Sequence, residues 1–249
     1  MSRPSLILCR EARASEPCQA GSMSTPTPPE TPRITVQANG PYLVLGGLPL
    51  RRKRAVVSEH AEPLAWRTED VVHISPGYAL CRCGGSANKP FCDGTHKGAD
   101  FDGTEAAPTD RYRNRAKRYP GTGITVLDDR RICEHAGFCG NRLTNVWKMT
   151  GSTDDSAVRG QVMSMIERCP SGALSYEVEG EAVEPDLPAQ VSVIADGPLW
   201  VTGCVPVERS DGQALETRNR VTLCRCGGSS IKPLCDGTHK EIGFRDTPP

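Results

Sequence analysis

Two sets of three cysteines and one histidine recur in this chain with the same spacing. The two stretches that carry them differ at only three positions between the first cysteine and the histidine. Three thiols and one imidazole form a complete set of four soft or borderline ligands, which suits zinc or an iron–sulfur cluster and not calcium or magnesium. The chain is therefore predicted to hold two metal centres in two copies of one small module. The residues are Cys81, Cys83, Cys92 and His96 in the first copy and Cys224, Cys226, Cys235 and His239 in the second.

The spacing of these ligands leaves both iron–sulfur and zinc open. The first two cysteines are separated by one residue, which is shorter than the C-x₂₋₄-C pairs usual in structural zinc sites. They could share one iron, while the third cysteine and the histidine, one helical turn apart, hold the other. Asp93 is placed to cap that turn, and Gly84-Gly85 would let the backbone pass close to inorganic sulfide.

Both copies match the pattern C-x-C-x₂-S/T-x₃-P-x-C-D-G-S/T/A-H position by position, and in this the chain resembles the CDGSH iron–sulfur (NEET) family. In that family the four residues bind a [2Fe-2S] cluster, with the histidine on the outer iron. The likeness extends upstream, where residues 34–42 resemble residues 191–199, the β-rich part that precedes the motif. The resemblance implies two [2Fe-2S] clusters, and the older label "CDGSH zinc finger" names the alternative.

A different motif lies between the two copies. Bacterial ferredoxins carry C-x₂-C-x₂-C and a remote Cys-Pro. On that template Cys133, Cys139 and Cys169 occupy ligand positions, and Ala136 stands where the middle cysteine is missing. Residues 111–180 resemble the divergent single-cluster ferredoxin domain, in which residues 124–127 and 173–176 would be the flanking strands.

The absence of a fourth cysteine leaves the middle cluster open between two types. Three thiolates can hold a [3Fe-4S] cluster, or a [4Fe-4S] cluster whose fourth iron takes another ligand. His135, next to the vacant position, is the nearest candidate for that ligand. An equally weighted alternative makes His135 a hydrogen-bond donor to a sulfide.

The motif order predicts an α+β protein with two small β-rich modules around a small α+β ferredoxin-like module. The two copies would form an internal pseudo-dimer or would follow one another as separate beads; the pseudo-dimer is favoured because repeats that bury no face alone tend to pair. The first copy carries an insertion that includes residues 59–66, for which helix and loop are both open. We expect a disordered N-terminal segment at residues 1–33, a first CDGSH module at 34–101, the ferredoxin-like module at 111–180 and a second CDGSH module at 191–246.

Composition limits the partners of this 249-residue chain. With 30 basic and 30 acidic residues, bulk attraction to nucleic acid or membrane is not indicated. Two basic runs, residues 51–54 and 111–118, would be solvated strand or linker faces or a docking patch for an acidic redox partner. Nine of the 12 cysteines lie in cluster motifs that need free thiolates, which implies a reducing compartment and the cytoplasm by default. The other three are Cys9, Cys18 and Cys204.

Three functions are compatible with these motifs and this composition. The first is electron transfer by a non-enzymatic protein with two [2Fe-2S] clusters and one cubane-type cluster, with a redox protein as partner. The second is storage of clusters or their delivery to an apo-protein acceptor, exploiting a labile histidine ligand. The third is an enzyme subunit that binds substrate at the open site of the middle cluster. No nucleic-acid or membrane partner is expected, and the protein is expected to be a monomer. Either Met1 or Met23 could be its start.

Overall fold

A computed structural model describes Cys9, residues 31–73 and residues 75–246. Within these residues the regular structure consists of three sheets and a few short helices. The α+β class is thereby confirmed. Two of the sheets are built from both cysteine-rich repeats, and the third belongs to the middle of the chain.

The first sheet has the strand order β12-β1-β2-β5. The hairpin from β1 to β2 turns at Asn39-Gly40, where Asn39 has a φ of 47° and Gly40 donates its N–H to the carbonyl of Gln37. An Asn-Gly pair is favoured at such turns because both positions tolerate positive φ. The strands are β1 (Arg33–Val36), β2 (Tyr42–Leu45), β5 (Gly77–Leu80) and β12 (Val207–Glu208).

The second sheet has the strand order β13-β11-β10-β3-β4. Its hairpin from β10 to β11 turns at Asp196-Gly197, where Asp196 has a φ of 52°, so it repeats the turn of the first sheet. Both turns were predicted from the sequence and are confirmed. The strands are β3 (Leu50–Val57), β4 (Pro63–His73), β10 (Gln190–Ile194), β11 (Leu199–Thr202) and β13 (Arg220–Leu223).

Each repeat completes its sheet with a strand of the other repeat. Strand β12 of the second repeat lies parallel to β1 of the first, with Ile34 opposite Val207. Conversely, β3 of the first repeat lies parallel to β10 of the second, with Leu50 opposite Val191. Such pairing covers edges that would otherwise expose unpaired backbone groups. The buried apolar residues of the two repeats accordingly form one cluster, which includes Ile34, Tyr42, Val44, Leu80, Val193, Leu199 and Leu223.

The insertion in the first repeat is a β-hairpin, which corrects the expectation of a helix or a loop over residues 59–66. Strands β3 and β4 pair antiparallel, and the chain turns at residues 58–62, where Ser58 N–H donates to the Glu62 carbonyl at 2.9 Å. Pairing with β3 is what makes this stretch a strand. The basic run 51–54 lies in β3, where the Lys53 ammonium sits 4.4 Å from the ring centroid of Trp200.

The third sheet, with the order β6-β7-β8-β9, forms the middle module together with two helices that pack on it. The predicted flanking strands are confirmed as β7 and β8, and β6 precedes them. A separate apolar core includes Val126, Val146, Val162, Ile166 and Tyr176. The elements are β6 (Lys117–Gly121), β7 (Ile124–Asp128), β8 (Leu174–Val178), β9 (Glu181–Val183), α2 (Val146–Thr150) and α3 (Ser156–Glu167).

Short helices occur at the ends of these modules. Helix α1 (Tyr112–Arg115) precedes β6, α4 (Thr238–Glu241) contains the last ligand of the second motif, and 3₁₀ turns cover Thr95–Lys97 and Arg130–Ile132. The basic run 111–118 therefore spans α1 and the start of β6. No helix in the described ranges is long and apolar enough to cross a membrane.

The state of Cys9 and Cys204 differs from what a reducing compartment predicts. Cys9 forms a disulfide with Cys204, which the inference of a reducing compartment did not anticipate. The nine cysteines of the three motifs are free thiols, as predicted. The predicted disorder of residues 1–33 falls mostly outside the described residues, but β1 already begins at Arg33.

Candidate metal centres

Each predicted tetrad comes together as two pairs of ligands. In the first repeat the Cys81 and Cys83 sulfurs lie 3.8 Å apart, and Cys92 Sγ lies 3.4 Å from Nδ1 of His96. The matching distances in the second repeat are 3.7 Å and 3.5 Å. Two thiolates bound to one tetrahedral metal at about 2.3 Å are separated by about 3.8 Å. Each pair therefore has the spacing of two ligands on one metal atom.

The backbone of each ligand loop is fixed by the residues that follow the strand. Cys81, directly after β5, donates its N–H to the carbonyl of Pro90 at 2.8 Å, and the Ser86 hydroxyl donates to the carbonyl of Phe91 at 2.7 Å. The second repeat has the same two bonds from Cys224 and Ser229. The serine and proline of the motif therefore position the cysteines without contacting a metal.

An aspartate in each motif holds the turn that carries the histidine. Asp93 Oδ1 accepts from the N–H and the hydroxyl of Thr95 at 3.0 and 2.7 Å, and its Oδ2 accepts from the N–H of Ala87 at 2.8 Å. These hydrogen bonds, chiefly from Thr95, hold the pKa of Asp93 well below its usual range. At Asp236 burial opposes the same set of bonds, which still lower the pKa to about 2. Asp93 therefore holds the turn through Thr95, as expected, but it lies one residue before the N-cap, which is Gly94.

The two glycines after each C-x-C differ from the expected role. The N–H of Gly85 does point at a ligand, the Cys83 sulfur at 3.4 Å. Gly84, with a φ of +79°, instead faces the other repeat, because a Cβ there would lie 2.6 Å from the carbonyl oxygen of Cys226. Gly227 faces the carbonyl of Cys83 in the same way at 2.7 Å. The two ligand loops therefore touch backbone to backbone.

An arginine between the first two cysteines of each repeat is a functional residue that the sequence reasoning missed. Arg82 and Arg225 are each only 1% exposed. Arg82 donates to the carbonyl of Gly103 at 2.6 Å, and Arg225 donates to the Asp246 carboxylate at 2.8 Å. Both arginines tie the ligand loop to the segment that follows the motif. The signal was present as Cys-Arg-Cys in both copies.

The three cysteines of the middle motif line one concavity, together with Ala136 and Gly137. Burial, with smaller contributions from the neighbouring Cys169 and Cys139 thiols, raises the pKa of Cys133 to about 11. Burial and Cys169 also raise the pKa of Cys139. In the metal-free protein the Cys133 and Cys139 thiols stay protonated near neutral pH, so a metal must displace their protons to bind.

His135 lies at the edge of this concavity but packs against the second repeat. Its backbone is left-handed, with a φ of 61°, and its N–H stabilises the Cys133 thiolate. Its ring lies over Gly237, and the Lys240 ammonium donates to its carbonyl. A role as ligand to the middle cluster remains a prediction.

A buried arginine of the second repeat holds the Cys169 loop. Arg220, at the start of β13, is 1% exposed and donates to the carbonyls of Ile166 and Cys169 at 2.8 and 2.9 Å. A cation at the C-terminus of a helix satisfies its free carbonyls and interacts favourably with its dipole. Strand β13 therefore supports Cys169 at its start and leads into Cys224 at its end.

The insertion hairpin of the first repeat, formed by β3 and β4, also packs on the middle site. Trp66 of β4 donates its Nε1–H to the carbonyl of Arg168 at 2.9 Å, and its ring centroid lies 5.0 Å from that of Phe138. Pro63 packs against Gly137, and the Glu62 carboxylate accepts from the N–H of Arg142 at 2.6 Å. The insertion has no counterpart in the second repeat, so its contacts with the middle module account for its presence.

We expect Trp66→Ala to weaken retention of the middle cluster, because the loss of this half-buried ring frees the Phe138 and Arg168 loops that flank Cys139 and Cys169. A loss on the order of 2 kcal/mol in the free energy of unfolding is expected, less than for a fully buried tryptophan. The measurement is the rate at which a chelator bleaches the middle cluster. Leu64→Ala, on the same strand but 52% exposed, is the control, and equal rates for the two variants would contradict this role of the hairpin.

The two histidines of the repeats differ in environment. His96 is partly exposed, whereas His239 is 4% exposed and its Nε2 lies 3.9 Å from Oε2 of Glu134. Burial, with the Lys240 charge, lowers the pKa of His239 to about 4. Burial also raises the pKa of Glu134 to about 8. The middle module thus covers the second histidine and leaves the first open.

Comparison with protein-family models agrees with this division of the chain. The iron-binding zinc finger CDGSH type matches residues 39–97 and 196–240, which contain the two Cys₃His sets. The divergent 4Fe-4S mono-cluster model matches residues 119–179, which contain Cys133, Cys139 and Cys169. A search of curated proteins and a search of solved structures found no match. The chain therefore carries two matches to the iron-binding CDGSH type on either side of a match to the divergent 4Fe-4S mono-cluster model, and both matches support binding of iron–sulfur clusters.

Proposed function

We propose that the protein is an electron-transfer protein with two [2Fe-2S] clusters, each held by three cysteines and one histidine, and one [4Fe-4S] or [3Fe-4S] cluster. The observation that carries the proposal is the pairing of ligands in each repeat. Within the part of the chain that the structure describes, no three His, Cys, Asp or Glu side chains converge as a site for a single metal ion. A structural zinc site needs four ligands around one point. Two separate ligand pairs instead suit two iron atoms.

The middle site fits a larger cluster. Cys133, Cys139 and Cys169 surround a concavity whose wall at Ala136 carries no ligand. Three thiolates around one concavity support a cubane-type cluster with one iron free of cysteine. His135 is the proposed additional ligand only if its ring leaves Gly237, which makes the second-repeat contact and the ligand role alternatives.

Iron–sulfur clusters supply one-electron chemistry, and the chain's own residues set its conditions. The thiolates and imidazoles hold the irons, and the N–H groups of Gly85 and Gly228, at 3.4 and 3.5 Å from ligand sulfurs, stabilise negative charge there. The exchanged strands β3 and β12 support an internal pseudo-dimer of the two repeats. We propose a non-enzymatic monomer whose partner is a redox protein.

Delivery of clusters to an apo-protein acceptor is the second candidate. The observation that favours it is the partial exposure of His96, because an accessible imidazole ligand is open to protons and to an incoming thiolate. The buried His239 does not share this property. Delivery would therefore concern the first repeat alone.

Two measurements on anaerobically purified protein test these proposals. Iron and sulfide analysis with EPR distinguishes zinc from iron and three-iron from four-iron clusters. Repeated cycles of reduction and oxidation, followed by incubation with an apo-ferredoxin, then separate the functions. Cycling without loss of iron is expected for electron transfer, whereas transfer of intact clusters to the acceptor would favour delivery.

On acidification we expect the first-repeat cluster to be lost before the second-repeat cluster. A histidine must be neutral at the coordinating nitrogen, and an ordinary imidazole takes a proton near pH ~6.5. Because burial lowers the pKa of His239 to about 4, its imidazole stays neutral to lower pH, whereas His96 is partly exposed to solvent. Absorbance and EPR from pH 7 to 4 should show two steps, with the cysteine-held middle cluster outlasting the first. A single step for both [2Fe-2S] clusters would contradict the difference between the histidines.

A further inference from the structure

The ligand loops of the two repeats are in direct backbone contact. A Cβ on Gly84 would lie 2.6 Å from the Cys226 carbonyl oxygen, and one on Gly227 would lie 2.7 Å from the Cys83 oxygen. Cys83 and Cys226 are themselves ligands. No side chain fits between the loops at this point, so the two predicted [2Fe-2S] sites are neighbours.

The middle site makes a similar contact with the second repeat only. A Cβ on Gly237 would lie 3.2 Å from the carbonyl oxygen of Cys133 and would overlap the ring of His135. Glu134, which follows Cys133 in the chain, adds to this contact, because its Oε2 lies 3.9 Å from Nε2 of His239. Arg220 adds a second connection, because it lies at the start of β13, donates to the Cys169 carbonyl and is joined by this strand to Cys224, the next residue after its end.

The same positions in the first repeat are open. Gly94, the counterpart of Gly237, has a similar φ of +91°, but a Cβ there would meet no described atom within 4 Å. Lys97 and its counterpart Lys240 are both exposed, but it is Lys240 that donates to a carbonyl of the middle motif, and Gly77 stands in place of Arg220. His96 borders a wide surface depression that Asn39 and Phe101 help to line.

We infer that the three sites form a linear series in which the second-repeat site bridges the middle site and the first-repeat site. The inference rests on the proposed electron-transfer function. An external one-electron donor protein supplies each electron at one end and an external one-electron acceptor removes it at the other. The chain is left in its starting redox state, and no bond to a ligand changes.

Magnetic coupling between the centres tests this order. In the reduced state each cluster is paramagnetic, so a close neighbour accelerates its electron-spin relaxation. Cys92→Ser leaves the second-repeat cluster as the only [2Fe-2S] signal, and Cys235→Ser leaves only the first. Adding Cys139→Ser, which removes the middle cluster, should slow relaxation severalfold in the Cys92→Ser background and leave it unchanged in the Cys235→Ser background. Equal changes in both, or a change only in the second, would overturn the order.

Matched substitutions test the contact without removing a cluster. Gly237→Ala and Gly94→Ala impose the same backbone strain, but only the first adds a methyl group against His135 and Cys133. Lys240→Met and Lys97→Met form a milder pair, since only Lys240 donates to the His135 carbonyl. The Gly237 or Lys240 variant should weaken coupling of the middle cluster to the second-repeat cluster, and its counterpart should not. Equal effects within both pairs would contradict the proposed contact.

The two proposals fail in different ways. The coupling is measured on a single chemical reduction by dithionite, so it reports the order of the sites whatever their physiological use. Loss of iron during repeated redox cycling would contradict electron transfer and leave the order intact. Stable cycling with coupling of the middle cluster to both repeats would contradict the order alone.

Discussion

The Cys139→Ser variant is expected to lack the middle cluster and to keep both [2Fe-2S] clusters. Serine offers a hard oxygen in place of a soft thiolate, and two cysteines do not suffice to hold a cubane-type cluster. Cys139 packs against the separate core of the third sheet. Loss of its cluster therefore leaves the shared core of the two repeats in place. Iron content should fall by about half if the middle cluster has four irons.

The choice among the three middle cysteines matters for the measurement. Cys133 and Cys169 also touch the second repeat through their carbonyls, so Cys139 is the cleanest position. Cys204→Ser, introduced together with Cys9→Ser, is the control, because it removes two cysteines that are bonded to each other and belong to no ligand set. EPR and iron analysis should show all clusters in the control. Bleaching of either [2Fe-2S] signal in Cys139→Ser would contradict the independence of the middle site.

The local features of the sites were predictable because they depend on short spacings. Cys92 and His96 meet because one turn separates them, and Asp93 holds that turn through neighbouring groups. The Asn39-Gly40 turn likewise follows from the conformations that these two residues tolerate. Interactions between residues close in sequence are encoded by residue type and spacing, so a single sequence is enough to infer them.

The contacts between modules were not predictable in the same way. Nothing in the apolar pattern around Leu50 specifies Val191 as its neighbour in a sheet, since many strands offer an equivalent face. The hairpin of the insertion and the contact of Trp66 with Phe138 follow from the presence of the middle module. The burial of His239 also depends on that module, so two nearly identical motifs acquire different environments.

Arg82 and Arg225, between the first two cysteines of each repeat, were predictable only in part. An arginine between two ligands is visible in both copies of the motif, but solvent exposure is the ordinary expectation for its charge. Arg225 is buried because Asp246 and two carbonyls satisfy its guanidinium. Those partners come from a turn and from the end of the described chain, which the motif itself does not contain.

The second large effect is expected from replacing a histidine ligand by cysteine. An oxidised [2Fe-2S] core carries two positive charges, so four thiolates give a site of charge −2, whereas three thiolates and a neutral imidazole give −1. An electron is added more easily to the less negative site. Histidine ligation raises the potential of Rieske centres for a related reason. The histidine in each repeat is therefore expected to set the potential of its cluster.

His96→Cys should keep the [2Fe-2S] cluster, lower its potential by on the order of 100 mV and make it more resistant to acid. His96 is the better position for the test, because a thiolate at 239 would also be placed near the Glu134 carboxylate. Lys97 is exposed, and Lys240 is directed at the His135 carbonyl, so neither lysine replaces the effect of the imidazole. His60→Cys, in the turn of the insertion hairpin, adds an exposed thiol at a position that belongs to none of the ligand sets, as a control. Redox titration of parent and variants decides the matter, since an unchanged or higher potential in His96→Cys would mean that this histidine does not bind iron.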